Sequence, residues 1–275
     1  MRRIHTQLVG LLLLFLSHAA FADVLVFIHG FLGSERSWTE PGIMQIVDKG
    51  GYPYTGIYYA QGTSVAYSGK EERPTSASYT VRLPSTSPIS LQAQWLEAYV
   101  NEITQQHPNE PITLIGHSAG GVVARYLVVI AKPQAVNRLL TIATPHNGTL
   151  RAAQALDVLN PSGMFSPIER FAVRRATGDN LYSTLMRSRQ LINELTPPRP
   201  GNFLYWLNQQ THPAISYISI VRTGGENHMG DQIVKPVSQD LRWILADPSV
   251  NQTYQIQGGH FLTTQDGHAI VNLLQ

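Results

Sequence analysis

The chain of 275 residues contains no cysteine and little charge. The absence of cysteine excludes disulfide bridges, thiolate metal sites, cysteine nucleophiles and thioether lipid anchors. Only 14% of the residues are charged, and Lys and Arg exceed Asp and Glu by only 20 to 18, which argues against a nucleic-acid partner. Because 43% of the residues are hydrophobic, the composition is also unlike that of a disordered chain. The length fits one large α/β domain or two small ones.

Residues 1–22 have the pattern of a secretory signal peptide. Arg2 and Arg3 form a positive start, Leu8–Leu16 is apolar, and a small-x-small cleavage site ends at Ala22. The apolar run is shorter than the roughly 20 residues that span a bilayer, so a membrane anchor is the weaker interpretation. We therefore expect cleavage after Ala22 and export to the periplasm or the medium.

Beyond this segment, apolar strands alternate with amphipathic helices. The run Val24–Ile28 is β-branched and aromatic, which is typical of a strand buried on both faces, and the helices carry apolar residues at helical spacing. We expect strands at 24–28, 54–59, 112–115, 138–143, 215–221 and 253–256, and helices at 34–50, 91–106, 119–131 and 264–274. This alternation predicts a mostly parallel central sheet flanked by helices. The Ser-, Thr- and Pro-rich stretch 61–88 is expected to be a long surface loop.

The stretch 149–212 interrupts the alternation. It is helical in composition and far longer than a connection between two strands needs to be. We interpret it as a helical cap inserted over one end of the sheet. Most of its apolar residues are expected to pack on the body and some to line a cleft: Met164, Phe165, Phe171, Leu181, Tyr182, Leu185, Met186, Phe203, Leu204, Tyr205 and Trp206.

The pentapeptide Gly116-His117-Ser118-Ala119-Gly120 follows one predicted strand directly and opens the next helix. A G-x-S-x-G sequence in that setting is typical of a nucleophile elbow, a sharp turn that exposes the serine hydroxyl at the edge of the sheet. Side chains at Gly116 and Gly120 would collide with neighbouring backbone. The helix N-terminus beneath Ser118 favours the negative charge that develops during attack.

A serine hydroxyl needs a base, and the base needs an orienting acid. With this elbow the chain order is Ser, then Asp or Glu, then His. His260 follows the last predicted strand through two glycines and is the expected base, with His268 in the final helix as the alternative. Asp231 follows the preceding strand and is the expected acid, with Glu226 and Asp240 as competitors.

Two backbone amides are predicted to hold the oxyanion of the reaction. One is the N–H of Ala119, directly after the nucleophile. The other is the N–H of Phe31, in the loop after the first strand, where Gly30 and Gly33 let the backbone turn close to the site. His29 is expected to pin this loop and to take no part in the chemistry.

These motifs resemble those of α/β-hydrolases of the secreted bacterial lipase type and of inositol-deacylase-like proteins. The matching segments follow one another in the right order along the chain: F-I-H-G-F at 27–31, I-G-H-S-A-G-G-V-V-A-R-Y at 115–126, T-I-A-T-P-H-N-G-T at 141–149, G-D-Q-I-V at 230–234 and G-G-H-F at 258–261. The resemblance implies an α/β-hydrolase catalytic domain over 23–275 that hydrolyses carboxylic esters, lipidic ones first. It also implies that His146 lies in a structural loop and is no metal ligand. Many such lipases carry a disulfide, which this chain cannot form, and no cluster of oxygen ligands indicates a calcium site.

We therefore expect a serine hydrolase that cleaves lipid or acyl esters through an acyl-enzyme, without cofactor or metal. Its expected partners are the ester substrate and, transiently, a lipid surface that the cap touches. Three alternatives stay open: an acyltransferase or thioesterase with the same triad, a catalytically silent lipid-binding protein on the same scaffold, and a peptidase.

Overall fold

The computed structural model of the protein describes residues 23–159, 179–224, 230–245 and 247–275, so the predicted signal peptide, 1–22, lies outside it. The described strands are β1 Val24–Ile28, β2 Tyr54–Gln61, β3 Ser64–Gly69, β4 Ala77–Arg82, β5 Ile112–His117, β6 Val136–Ile142, β7 Ser216–Thr223 and β8 Asn251–Gln257. The described helices are α1 Arg36–Thr39, α2 Ile43–Lys49, α3 Ile89–Gln106, α4 Ala119–Ile130, α5 Leu150–Leu159, α6 Asp179–Arg187, α7 Arg189–Glu194, α8 Phe203–Asn208, α9 Pro236–Gln239 and α10 Thr264–Leu274. A 3₁₀ helix covers Leu241–Trp243.

The strands form one sheet in the order β3-β2-β4-β1-β5-β6-β7-β8. Neighbouring strands pair in parallel, except that β2 and β3 form an antiparallel hairpin. The mostly parallel sheet predicted from the strand–helix alternation is confirmed. Ile28 at the end of β1 lies opposite Gly116 in β5, and His117 at the end of β5 lies opposite Ile142 in β6. The carboxyl ends of these three strands therefore meet at one edge, where the loops after β1 and β5 come together.

Two hydrophobic cores lie on opposite faces of the sheet. In β1, Val24, Val26 and Ile28 contribute to the core that contains α3 and α4, whereas Leu25 and Phe27 contribute to the core that contains α2 and α10. This two-sided burial explains why the strand is a continuous apolar run, without the alternation of a half-exposed strand. None of the helices in the described ranges has both the length and the apolar character that crossing a bilayer requires.

The stretch 61–88, predicted to be a surface loop, contains β3 and β4. β4 lies inside the sheet between β1 and β2, and most of its residues are buried. Its hydroxyls have partners in the protein: Ser78 Oγ donates to the Tyr52 carbonyl at 3.0 Å, and Thr80 Oγ1 bonds the Tyr54 hydroxyl at 2.9 Å. The prediction was wrong because Ser and Thr were taken as solvent-facing, whereas a hydroxyl with a partner fits a buried strand.

The chain between β6 and β7 carries the described helices α5 to α8. Leu204 of α8 is fully buried in the core shared with α3 and α4, while Trp206, two residues on, is 42% exposed. The carboxylate of Glu194 at the end of α7 accepts a hydrogen bond from the Ile89 N–H at 2.7 Å and so caps the first turn of α3. Of the apolar residues predicted for a cap, those outside the described part are Met164, Phe165, Phe171 and the side chain of Leu181.

Candidate active site

Ser118 forms the turn between β5 and α4. Its φ of 52° and ψ of −128° are rarely adopted by a residue other than glycine, so the backbone is strained. The surrounding structure holds the turn, because the Ser118 N–H donates to the Ile142 carbonyl at 2.9 Å and the Ser118 carbonyl accepts from Gly121 at 3.0 Å. The strained turn places the serine hydroxyl at the carboxyl edge of the sheet.

The glycines around Ser118 are required by close backbone contacts. A Cβ atom at Gly120 would lie 2.3 Å from the carbonyl oxygen of His29, and one at Gly116 would lie 2.4 Å from Cα of Gly121. Both distances are far shorter than a van der Waals contact, so even an alanine would push α4 away from the strands. The two Gly positions of the pentapeptide thus bring the start of α4 against the ends of β1 and β5.

His260 lies in the loop between β8 and α10 and reaches both other members of the predicted triad. Its Nε2 lies 2.9 Å from Ser118 Oγ, and its Nδ1 lies 2.7 Å from Asp231 Oδ2. Because an ionised carboxylate only accepts hydrogen bonds, Nδ1 carries the proton and Nε2 is free to accept the serine proton. The imidazole thus has the tautomer that a general base requires.

Asp231 lies in the loop after β7 and is held by four donors. Its Oδ1 accepts from the amides of Ile233 at 2.7 Å and Val234 at 2.9 Å, and its Oδ2 accepts from Gln239 Nε2 at 3.0 Å as well as from His260. Burial opposes ionisation, but the hydrogen bond from His260 and the backbone amides outweigh it, so the pKa of Asp231 lies below its ordinary value. The side chain is therefore a fixed carboxylate in the site.

Two of the three competing candidates lie elsewhere in the structure. Asp240 pairs with Arg242 at 2.8 Å and accepts from Thr253 Oγ1 at 2.8 Å, away from the imidazole. His268 lies on the exposed face of α10. Glu226 is outside the described residues.

Two further residues contact members of the predicted triad, and neither was predicted from the sequence. Gln239 Oε1 accepts from the Arg222 N–H at 2.8 Å, which orients the amide so that its NH₂ group faces Asp231 Oδ2 and the Val234 carbonyl. His117 lies within the pentapeptide, and its Nε2–H donates to the His260 carbonyl at 2.8 Å. Adjacency to the serine was a signal that could have drawn attention to His117, whereas nothing in the local sequence marks Gln239.

His117 is held neutral. Burial, followed by the repulsion of the nearby His260, lowers its pKa to about 3. Its ring centroid lies 5.2 Å from that of His260, so it also packs against the base. A neutral His117 keeps its Nε2 proton for the His260 carbonyl and so joins the turn at Ser118 to the loop between β8 and α10.

The loop after β1 runs against the nucleophile. A Cβ atom at Gly30 would lie 2.8 Å from Ser118 Cβ. In the described part of the chain, neither the Phe31 N–H nor the Ala119 N–H donates a hydrogen bond. His29 is fully buried and joins this loop to the end of β4, since its Nδ1–H donates to the Gly30 carbonyl at 3.1 Å and its Nε2 accepts from the Leu83 N–H at 3.0 Å.

His146 is buried in the loop after β6 and bonds Thr141 Oγ1 at 3.1 Å. Burial lowers its pKa well below the ordinary value, so it is neutral. Within the described ranges, no three His, Asp or Glu residues gather as metal ligands would. The position of His146 is that of a structural side chain.

A cavity of about 660 Å³ opens beside Ser118 and His260. Its walls come from the loop after β1, from the helices that follow β6, and from the loops that carry Asp231 and His260. Most of the lining is apolar, including Phe31, Ala152, Leu185, Ile192, Leu195 and Phe261. Of the apolar residues predicted for the cap, Leu185 lines this cavity, as do Ile192 and Leu195, which were not predicted. One charged side chain, Arg151, also lines it within the described residues.

Comparison with known proteins assigns the family. Residues 23–251 match the α/β hydrolase fold family, and the chain belongs to it. A triacylglycerol lipase from Pseudarthrobacter phenanthrenivorans is 35% identical over 99 residues, which are 35% of this chain and 29% of that protein. GPI inositol-deacylase A from Yarrowia lipolytica is 42% identical over 62 residues, which are 20% of this chain and 6% of that protein. The matched segments thus span less than a third of these relatives.

Among solved structures, the mature form of a Bacillus licheniformis lipase superposes with a TM-score of 0.60 over 93% of both chains, at 16% identity. At this identity the likeness shows the fold alone. It agrees with the predicted α/β-hydrolase architecture, which is confirmed. The predicted resemblance to lipases and inositol deacylases is confirmed by the family match and by the two relatives named above.

Proposed function

We propose that this protein is a serine hydrolase that cleaves carboxylic esters of lipid or acyl type. The observation that carries the proposal is the unbroken hydrogen-bonded series Ser118, His260 and Asp231, which borders an apolar cavity. Three of its features are those of acyl transfer: a serine on a strained turn, an imidazole of the required tautomer, and a buried carboxylate behind it. The lipase and inositol-deacylase relatives support an ester as the substrate.

In the proposed mechanism, Ser118 Oγ attacks the ester carbonyl while His260 Nε2 takes its proton. Asp231 stays ionised and stabilises the imidazolium. The oxyanion of the tetrahedral intermediate accepts hydrogen bonds from the N–H groups of Phe31 and Ala119. The C–O bond to the alcohol then breaks, the alcohol leaves with the proton from His260, and an acyl group remains on Ser118. Water, deprotonated by His260, releases the acid.

Ser118→Ala tests the assignment directly. The variant keeps the turn but has no nucleophile, so hydrolysis of a p-nitrophenyl acyl ester should fall by roughly 10⁴-fold or more while the circular dichroism spectrum and the melting temperature stay near wild type. A fluorophosphonate probe should label the wild type and spare the variant. Full activity in the variant contradicts the proposal, and a folded wild type that neither hydrolyses esters nor reacts with the probe indicates the lipid-binding alternative.

The acyl acceptor is a separate question. Water is the proposed acceptor, and product analysis in the presence of a competing alcohol distinguishes hydrolysis from acyl transfer. Free acid as the main product supports a hydrolase, whereas a transferred ester at low alcohol concentration supports an acyltransferase. The same assay with an acyl thioester tests the thioesterase alternative.

We also propose export through residues 1–22 and transient contact of the cap with lipid surfaces. The N-terminal sequence pattern supports the first, and the exposed Met186 and Trp206 on α6 and α8 support the second. N-terminal sequencing of the protein from the periplasm or medium should begin at Asp23. Co-sedimentation with phosphatidylcholine vesicles should weaken in Trp206→Ala. A retained signal segment, or equal sedimentation, contradicts the respective proposal.

A further inference from the structure

The wall of the catalytic cavity carries one full charge among otherwise apolar and neutral described residues, that of Arg151. Arg151 lies in the first turn of α5, next to Thr149, whose hydroxyl donates to the Ile233 carbonyl in the loop of the proposed acid. The guanidinium is thus on the wall that α5 shares with the Asp231 loop.

Neutral groups hold the Arg151 guanidinium in place. Its Nε–H donates to the Gln232 carbonyl at 3.2 Å, and Nη1 donates to Gln154 Oε1 at 3.2 Å. A guanidinium has five N–H donors, so three remain for another partner. No carboxylate of the described residues forms an ion pair with it. The charge at the cavity wall is therefore oriented by the protein but not neutralised by it.

We infer that Arg151 binds a phosphate on the alcohol side of the substrate, so that the preferred esters are of the glycerophospholipid type. This inference rests on the proposed ester hydrolysis. An apolar cavity takes the acyl chains, and a planar guanidinium with free donors takes a phosphate through two parallel hydrogen bonds. A neutral acylglycerol of the same chain length fills the cavity but leaves Arg151 without an anionic partner. Arg151 is then a specificity-determining residue.

The experiment compares two soluble substrates with the same acyl chains, dihexanoyl phosphatidic acid and dihexanoylglycerol, below their micellar concentrations. Acid release should give a kcat/KM about fivefold higher for the phosphate ester, mainly through a lower KM. The preference should shrink between about 10 mM and 500 mM salt, because exposed charges are screened. Equal kcat/KM values for the wild type overturn the inference.

Variants of the arginine complete the test. Arg151→Gln should lose the preference, measured as the ratio of kcat/KM for the two substrates within the variant, and Arg151→Lys should restore part of it because it retains the charge. Arg187→Gln is the matched control, since Arg187 is exposed on α6 outside this cavity. A preference that survives in Arg151→Gln, or that is lost equally in the control, rejects Arg151 as its source. A folded wild type that hydrolyses neither substrate nor a p-nitrophenyl ester rejects the proposed function itself.

Discussion

The turn at Ser118, the proposed nucleophile, and the loop that carries Asp231, the proposed acid, hold their side chains in different ways. Ser118 is fixed sterically: its backbone is strained at φ 52°, and the neighbouring glycines leave no room for another arrangement of α4. Asp231 is fixed by hydrogen bonds from two amides, an imidazole and the amide of Gln239. Close packing admits one position, whereas a hydrogen-bonded loop can adjust when one donor is lost.

The two regions also differ in how far a short sequence motif can identify them. The glycines that the turn requires lie within two positions of the serine, so a short motif identifies it, although the groups they pack against are distant in the chain. Asp231 depends also on side chains that no short motif joins to it, namely Gln239, eight positions on in α9, and His260, 29 positions on. Changes to the turn should therefore affect folding, and changes to the acid loop should affect catalysis more than folding.

The largest expected effect is that of Asp231→Asn. The amide cannot stabilise the imidazolium and favours the wrong tautomer of His260, so kcat should fall by about 10⁴-fold. Asp240→Asn is the matched control, because that carboxylate serves Arg242 and Thr253. Ester hydrolysis per folded molecule is the measurement. A larger loss in the control than in Asp231→Asn would show that the acid has been assigned to the wrong loop.

Gly120→Ala tests whether close packing fixes the turn at Ser118. Its Cβ would lie 2.3 Å from the His29 carbonyl oxygen, so the variant should lose about 3 kcal/mol of unfolding free energy or fail to fold. Gly259→Ala is the control, since a Cβ there meets nothing within 4 Å and should change the stability by less than about 1 kcal/mol. Urea denaturation measures both. Equal stabilities would mean that the turn is not sterically fixed.

The same contrast accounts for what the sequence could predict. Ser118 was predicted from a local pattern, and His260 and Asp231 from chain order and strand ends, and the structure brings all three together. Gln239 and the bond from His117 to the His260 carbonyl were missed, because their partners are separated by 8 and 143 positions in the chain. No local pattern records such contacts.

Some elements of the fold were predicted and others were missed, again because some depend on contacts distant in the chain. Apolar runs such as Val24–Ile28 and the helix Thr264–Leu274 are specified by their own composition and were predicted with their observed bounds. β4 was missed because its burial depends on hydroxyl partners, among them the Tyr52 carbonyl and the Tyr54 side chain, that become apparent only in the folded sheet.

Substitutions of Gln239 test whether hydrogen bonds fix the side chain of Asp231. Gln239→Met removes one donor from Asp231 and should lower kcat about tenfold, because the charge-assisted bond that orients the carboxylate is lost. Gln239→Glu replaces the donor with a second carboxylate beside Asp231 and should lower kcat further, because like charges repel. If Gln239 serves only the stability of the fold, both variants lower the melting temperature and leave kcat per folded molecule unchanged.

The smallest expected effect is the contribution of His117 to the pH dependence of the unfolding free energy. His117 has a pKa of about 3 in the folded protein, below its ordinary 6.5, so the unfolded chain binds a proton that the folded protein rejects. The contribution of neutral His117 to stability is therefore complete above about pH 6.5 and is lost as the pH falls towards 3. Asp231, whose pKa is also lowered, adds a loss only below its ordinary 3.8.

Urea denaturation between pH 7 and 4.5 separates His117 from Asp231, because the carboxylate of Asp231 contributes no change there. His117→Gln should flatten the fall in unfolding free energy by up to about 1.4 kcal/mol per pH unit, the equivalent of one proton. His268→Gln, an exposed change on α10, should leave the slope as it is. If both variants keep the wild-type slope, His117 is not the group that makes stability depend on pH. The other histidines with lowered pKa values then become the ones to substitute: His29, His107, His146 and His212.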